Sequence, residues 1–327
     1  MGLRRSTMTI LSVISGWHHS AAAFAGGVTW QVTPPFPGKQ KSFSIMETYI
    51  SHKQKIISNI DRIPMFSSQT WFRRFAFFSA SLGHYMPDIP YQQHLSLFRK
   101  TLLNQQLSFL DEEYHTTLTV QGEAIPTQLG LSGRPAILAT FHSGSYRLIN
   151  YLLARQEIPF ALLMSGDVLE QQGDAIRHTY AQIQEQSGTP ITLINASVPS
   201  SGIQILRALN EGKSLLAYPD GNTGSPGRTD GQLAGIPFMS GSMYVRKGLA
   251  WLAQKAGVPL HVVISTRNND NSIKLQCTRS FMPGPAMETP GFVEVATQHM
   301  YDDLAVTIAA EPWQWENWLH IHHYIPA

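Results

Sequence analysis

The sequence predicts an α/β fold: a mostly parallel central sheet with flanking helices, plus an N-terminal helical subdomain. Three observations predict it. Short apolar runs of strand length recur through the second half of the chain, as buried parallel strands do. Stretches of helical spacing separate them, the alternation of an α/β sheet. Before them, residues 43–115 keep helical periodicity with no strand-like run.

Residues 1–42 read as a leader or arm. Met1-Gly-Leu-Arg-Arg5 and the apolar run Met8–Trp17 have the look of a signal sequence, with Ala21-Ala-Ala-Phe-Ala25 as a small-residue cleavage site. The run is too short to span a bilayer, which takes ~20 residues, and His18 and His19 end it. A surface-associated or floppy leader is the expectation, with secretion as the alternative. Gly26-Gly27, Pro34-Pro35 and Pro37-Gly38 predict a linker before the first helix.

Residues 43–115 form the predicted helical subdomain. Leu95, Leu97, Phe98, Leu102, Leu103, Leu107 and Leu110 recur mostly at three- and four-residue steps, a helix signature. Thr70–Phe78 is rich in aromatics around Arg73 and Arg74. Packing against the core is the expectation there, and docking on a membrane surface is the alternative.

Residues 116–327 are the predicted α/β core. Strands are expected at Ala136–Phe141, Phe160–Met164, Ile191–Ile194, Leu215–Tyr218 and Leu260–Ser265. Helices are expected near 144–156, 174–187, 200–211 and 243–257, the last two stopped by Gly212 and Gly257. Ser272–Cys277 alternates polar and apolar, which predicts an antiparallel strand near an edge, and Gly291–Ala310 is a last helix.

Composition narrows function. Lys plus Arg number 24 against 22 Asp plus Glu, so the basic stripe of a general nucleic-acid binder is not expected. The one cysteine, Cys277, excludes a disulfide framework and a cysteine zinc site, and a cytoplasmic location is the simpler reading. His320, His322 and His323 lack a carboxylate or cysteine at a fitting spacing, so no metal is expected.

Two turns carry the chemistry. His142 ends the first strand run and enters Ser143-Gly144-Ser145-Tyr146-Arg147. A histidine at the carboxyl end of a strand in an open α/β sheet stands where ligands bind. Gly144 permits close backbone approach, and the amides of the following helix can hold an anion or developing oxyanion. Asp220 follows Leu215–Tyr218 in a Pro-Asp-Gly turn, on the same predicted rim. Gly235-Ile-Pro-Phe-Met-Ser240 and Gly257-Val-Pro-Leu come next, and the chain closes on Glu311-Pro-Trp-Gln-Trp-Glu-Asn-Trp-Leu-His320. Trp313, Trp315 and Trp318 are expected to pack rather than to touch substrate.

In this order the pieces resemble the lysophospholipid acyltransferase superfamily. They are most similar to the branch that acylates lipid A precursors (the lauroyl and myristoyl transferases) and mannosylated phosphatidylinositol. His142-Ser-Gly-Ser-Tyr-Arg147 resembles that branch's His-Phe-Gly-Asn-Trp-Glu run, with His142 and Gly144 in register. Asp220-Gly221 resembles the Pro-Glu-Gly motif or the branch's Asp-containing loop, and Ile236-Pro-Phe-Met-Ser240 resembles Val-Pro-Phe-Phe-Gly. The resemblance covers residues 95–323, and its specificity lies in the order of the motifs rather than in any one of them.

The resemblance implies a glycerolphosphate-acyltransferase-like fold. It implies transfer of an acyl group from a thioester, on acyl carrier protein or CoA, to a hydroxyl or amine. His142 would be the general base, with Asp220 in the catalytic pair and no acyl-enzyme. Ser143, Gly144, Ser145, Arg147, Gly221, Asn222, Thr223, Arg228, Phe238 and Ser240 would contact substrate. Beyond the phosphopantetheine arm or CoA of the co-substrate no cofactor is implied. Acyl carrier protein is the implied partner, steered by Arg134, Arg155, Arg228, Arg246 or Lys247, and peripheral contact with the inner face of the membrane is an alternative.

Arg147 is the main departure, because the family's acid orients the histidine. Three readings follow. Asp220 replaces the acid and Arg147 binds a substrate carboxylate or phosphate. Or Arg147 pairs with Asp220 and His142 works alone. Or the site is inactive and the protein binds acyl chains or acyl carriers. The spanning helix common in the lipid A branch is also not evident in the leader, so a soluble or carrier-tethered acceptor is a further alternative to a membrane lipid. A thioesterase on the same fold is the remaining alternative activity.

Overall fold

In the computed structural model, which describes residues 42–221, 233–284 and 289–321, the alternating segments build a seven-stranded, mostly parallel mixed sheet with helices on its faces. The leader expected over residues 1–42 lies, but for its last residue, outside the described residues. From Ser44 to Ala327 the chain clusters as one unit.

The chain enters through α1 (Ser42–Asp61), α2 (Gln69–Tyr85) and α3 (Tyr91–Glu113). Ser68 caps α2 by accepting from the Trp71 amide at 3.5 Å. Phe75 and Phe78 of α2 meet Phe98 of α3 edge-on at 5.7 and 5.3 Å. These rings and Leu82 pack in one cluster with Ile137, Ala139 and Leu215 of the sheet, so burial of the α2 face ties these helices to the core. The other face of the aromatic run is open: Phe66, Phe72 and Tyr91 are exposed.

The core runs β1 (Val120–Gln121), α4 (Ile125–Gln128), β2 (Ile137–Ala139), α5 (Leu148–Arg155), β3 (Phe160–Met164), α6 (Gly166–Ser187), β4 (Ile191–Asn195), α7 (Ser201–Asn210) and β5 (Ser214–Ala217). A hairpin follows, β6 (Leu233–Phe238) and β7 (Gly241–Arg246), then α8 (Gly248–Ala256), β8 (Leu260–Arg267), β9 (Ile273–Phe281) and α9 (Thr289–Ala310). Two 3-10 turns, Pro312–Gln314 and Glu316–Leu319, end the described chain. The sheet order is β1-β9-β8-β2-β5-β3-β4. Only β9 against β8 is antiparallel, one strand from the edge, as its alternating pattern predicts.

β2 and β5 are buried throughout, which is why they read as continuous apolar runs. The helix expected near 243–257 needs correction. Met243 and Val245 are buried while Ser242 and Tyr244 are exposed, a period of two, and the helix begins only at Gly248. The helix expected from residue 144 begins at Leu148, because residues 144–147 are spent in a turn. Among the described residues no helix is long and apolar enough to cross a membrane.

The topology has a switch point between β2 and β5. From β2 the chain crosses through α5 to β3 on one side, and from the adjacent β5 it crosses through α8 to β8 on the other. Adjacent strands whose connections leave in opposite directions splay their loops apart, and ligands bind at such a switch point.

Candidate active site

β2 and β5 pair in register, Ala139 beside Ala217. His142 and Asp220 each follow three residues later, so parallel pairing carries them to the same height at the switch point. There Nδ1 of His142 and Oδ1 of Asp220 lie 2.8 Å apart. The His142 amide donates to Oδ2 of the same carboxylate at 3.0 Å, and the Trp315 indole N–H donates to it at 2.8 Å. Asp220 is fully buried and His142 is a quarter exposed. Such an acid fixes the tautomer and leaves Nε2 as the basic nitrogen of the neutral ring.

Burial opposes the imidazolium, but Asp220, with help from Glu316, more than offsets it against Arg147, so His142 sits above the ordinary histidine value. Tyr146 and Tyr218 flank its ring at 4.8 and 4.9 Å. A side chain at Gly221 would stand 3.5 Å from Cε1 of the imidazole, so glycine keeps that edge open.

The turn after His142 is held by the C-terminal segment. Ser143 bridges to Trp315, the Gly144 amide donates to Gln314 O at 3.1 Å, and the Glu316 amide donates to His142 O at 2.9 Å. Gly144 has a φ of +57°, and a Cβ there would lie 2.7 Å from the Ser265 carbonyl oxygen. The close approach expected of Gly144 is thus to strand β8. Its amide is spent on Gln314 and the Ser145 amide on the Ser265 hydroxyl. Neither amide is therefore left to hold an oxyanion. The amides of Tyr146 and Arg147, entering α5, have no acceptor among the described residues.

Beneath the turn lies a buried ion pair missed from sequence. Arg267 on β8 pairs with Asp111 on α3, and the Ser145 hydroxyl bonds to both. Tyr49 donates to Asp111 at 2.8 Å, and Asn104 accepts from Arg267 Nε at 3.3 Å. Ser145 is therefore a strut of this network rather than a substrate contact, and Ser143 is wholly buried.

Arg147 does not pair with Asp220, which corrects one of the three readings. Its guanidinium lies 3.4 Å from Glu112 and stacks 4.0 Å over the Phe109 ring, both on α3. Glu316, a second residue missed from sequence, is 6% exposed and accepts from Gln105 at 3.2 Å, while its other oxygen has no partner. Burial raises its carboxyl above the ordinary glutamate value against the pull of His142 and Arg147. The family-like order of the tail is the available signal, and its tryptophans outweigh it in the sequence.

The remaining expected contacts are dispersed. Phe238 is buried against Trp315 and Tyr85, 5.5 and 5.6 Å between ring centres. Ser240 is exposed in the β6–β7 turn, its amide on Tyr85 O. Arg134 precedes β2 and Arg155 closes α5, so both lie toward the amino ends of the strands, away from His142. Asn222, Thr223 and Arg228, and His322 and His323, lie outside the described residues. Among those described, no group of three His, Cys, Asp or Glu side chains is placed to hold a metal ion. Compared with protein-family models, the chain matches none, and no curated protein matches it.

Proposed function

We propose that the protein is an acyltransferase of the lysophospholipid acyltransferase type, moving an acyl group from a thioester of acyl carrier protein or CoA to a hydroxyl or amine. The observation that carries this reading is the 2.8 Å contact between His142 and the buried Asp220 at the switch point. Asp220 takes over from the family's motif acid. His142 Nε2 removes the acceptor's proton as its oxygen or nitrogen attacks the thioester carbonyl. The amides of Tyr146 and Arg147 stabilise the oxyanion. Collapse releases the thiolate, which takes the proton back from the imidazolium, giving ester or amide plus thiol. No acyl-enzyme forms, in keeping with Ser143 and Ser145 being buried.

The finer architecture belongs to the same proposal. The fold is glycerolphosphate-acyltransferase-like, and α1 to α3 are its helical subdomain. Exposed Phe66, Phe72 and Tyr91, near Arg73 and Arg74 in sequence, would set that subdomain against the inner face of a membrane from the cytoplasmic side. The test is thiol release from a long-chain acyl-CoA or acyl carrier protein with candidate acceptors. Release that depends on acceptor supports the reading. Equal release without acceptor makes the protein a thioesterase, and binding without release makes it an acyl binder; either overturns it.

A further inference from the structure

The bridge between Ser143 and Trp315 sets the register of two antiparallel segments, so Glu316 stands opposite His142. Side chains opposite one another in an antiparallel pair share a face, about 4.5–5.5 Å apart at Cβ. Glu316 is thus a second carboxylate beside the imidazole, delivered from the far end of the chain. One of its oxygens is engaged by Gln105 and the other is buried without a partner. A buried acceptor left unmade is costly, of the order of 1–3 kcal/mol, so this oxygen favours a donor.

Arg147 does not supply it: its ion pair is with Glu112, none joins it to Glu316, and its own Nε is buried without a partner. Among the described residues, Asp220 and Glu316 both act on the His142 imidazole against Arg147, whose guanidinium pairs with Glu112, while Asp111 and Arg267 neutralise each other below. A buried carboxylate oxygen without a partner beside the reacting histidine suits a cationic donor, and charge-assisted hydrogen bonds are roughly twice as strong as neutral ones.

We propose that Glu316 recognises a primary ammonium group, so that the acceptor of the acyl group is an amine. This rests on the acyl-transfer reading of His142. The bound ammonium gives one proton to His142 Nε2, and the free amine attacks the thioester carbonyl. The new C–N bond forms as the C–S bond breaks. The thiolate takes the proton from His142 and the nitrogen releases its surplus proton to solvent. Ammonium and thioester become amide, thiol and one proton.

Calorimetric titration with octylammonium and octanol tests the assignment on the wild-type protein and on His142→Ala, Glu316→Gln and Glu316→Asp. Octylammonium is expected to bind wild type and His142→Ala at least tenfold tighter than octanol. Glu316→Gln should lose that preference, and Glu316→Asp should keep part of it. Octanol binding as tightly as octylammonium, or a preference unchanged in Glu316→Gln, overturns the assignment. If the ammonium preference holds but neither compound supports thiol release from an acyl-CoA, acyl transfer fails and the ammonium site stands.

Discussion

The imidazole of His142 and the carboxylate of Asp220 are hydrogen-bonded at 2.8 Å although 78 residues separate them. Parallel register between β2 and β5 produces this contact, and the Trp315 indole N–H holds the carboxylate from behind. The first prediction concerns that acid. Asp220→Asn is expected to lower turnover steeply, by roughly the 10⁴-fold seen when a Ser-His-Asp triad loses its acid.

The pH profile provides a separate check. General-base catalysis needs neutral His142, so turnover should rise with pH through an apparent pKa above the ordinary histidine value, since Asp220 holds it up. In Asp220→Asn, burial is left to act and the limb should shift to lower pH. A limb that stays in place would remove Asp220 from this role.

Gly144→Ala should destabilise the protein more than Gly212→Ala. Both glycines have positive φ, +57° and +83°, but a Cβ at Gly212 meets nothing within 4 Å while one at Gly144 meets strand β8. The left-handed conformation alone costs an ordinary residue ~1–2 kcal/mol. Urea denaturation of the two variants isolates the clash, and equal losses would contradict it.

Much of the sheet and half of the site were legible in the sequence, for identifiable reasons. β2 and β5 are buried on both faces and read as apolar runs, and a strand's carboxyl end in such a fold is where chemistry is sought. His142 and Asp220 follow from that. The β7 strand is masked in the sequence because four residues of alternation, Ser242 to Val245, join directly onto a helical run. The partners of Arg147, Ser145 and the Glu316 carboxylate were illegible because they are set by packing. Arg147 meets α3, Ser145 meets an ion pair 156 residues long in sequence, and Glu316 reaches Gln105 across 211 residues.

Asp111→Ala should cost about 3–5 kcal/mol, because it strands the buried Arg267 charge. The double replacement Asp111→Leu with Arg267→Met should recover much of that loss, since replacing both partners leaves no unpaired charge. Urea denaturation curves provide the comparison, and a double variant no more stable than the single would contradict it.

Glu316→Gln should be more stable than wild type at about pH 8, with the gap closing as pH falls toward about 4, near the ordinary glutamate value. Burial holds the folded carboxyl above that value. The ionised form therefore opposes folding at high pH, and wild type regains stability as pH drops through the folded pKa. A gap independent of pH would mean that Glu316 is not held up in this way.

The central claim is that His142 is the base of an acyl transfer. Its most direct test is acceptor-dependent thiol release by wild type and His142→Ala, with circular dichroism and donor affinity measured on both. The account predicts loss of release by His142→Ala with fold and donor binding kept. Wild-type turnover by a folded His142→Ala protein would contradict it.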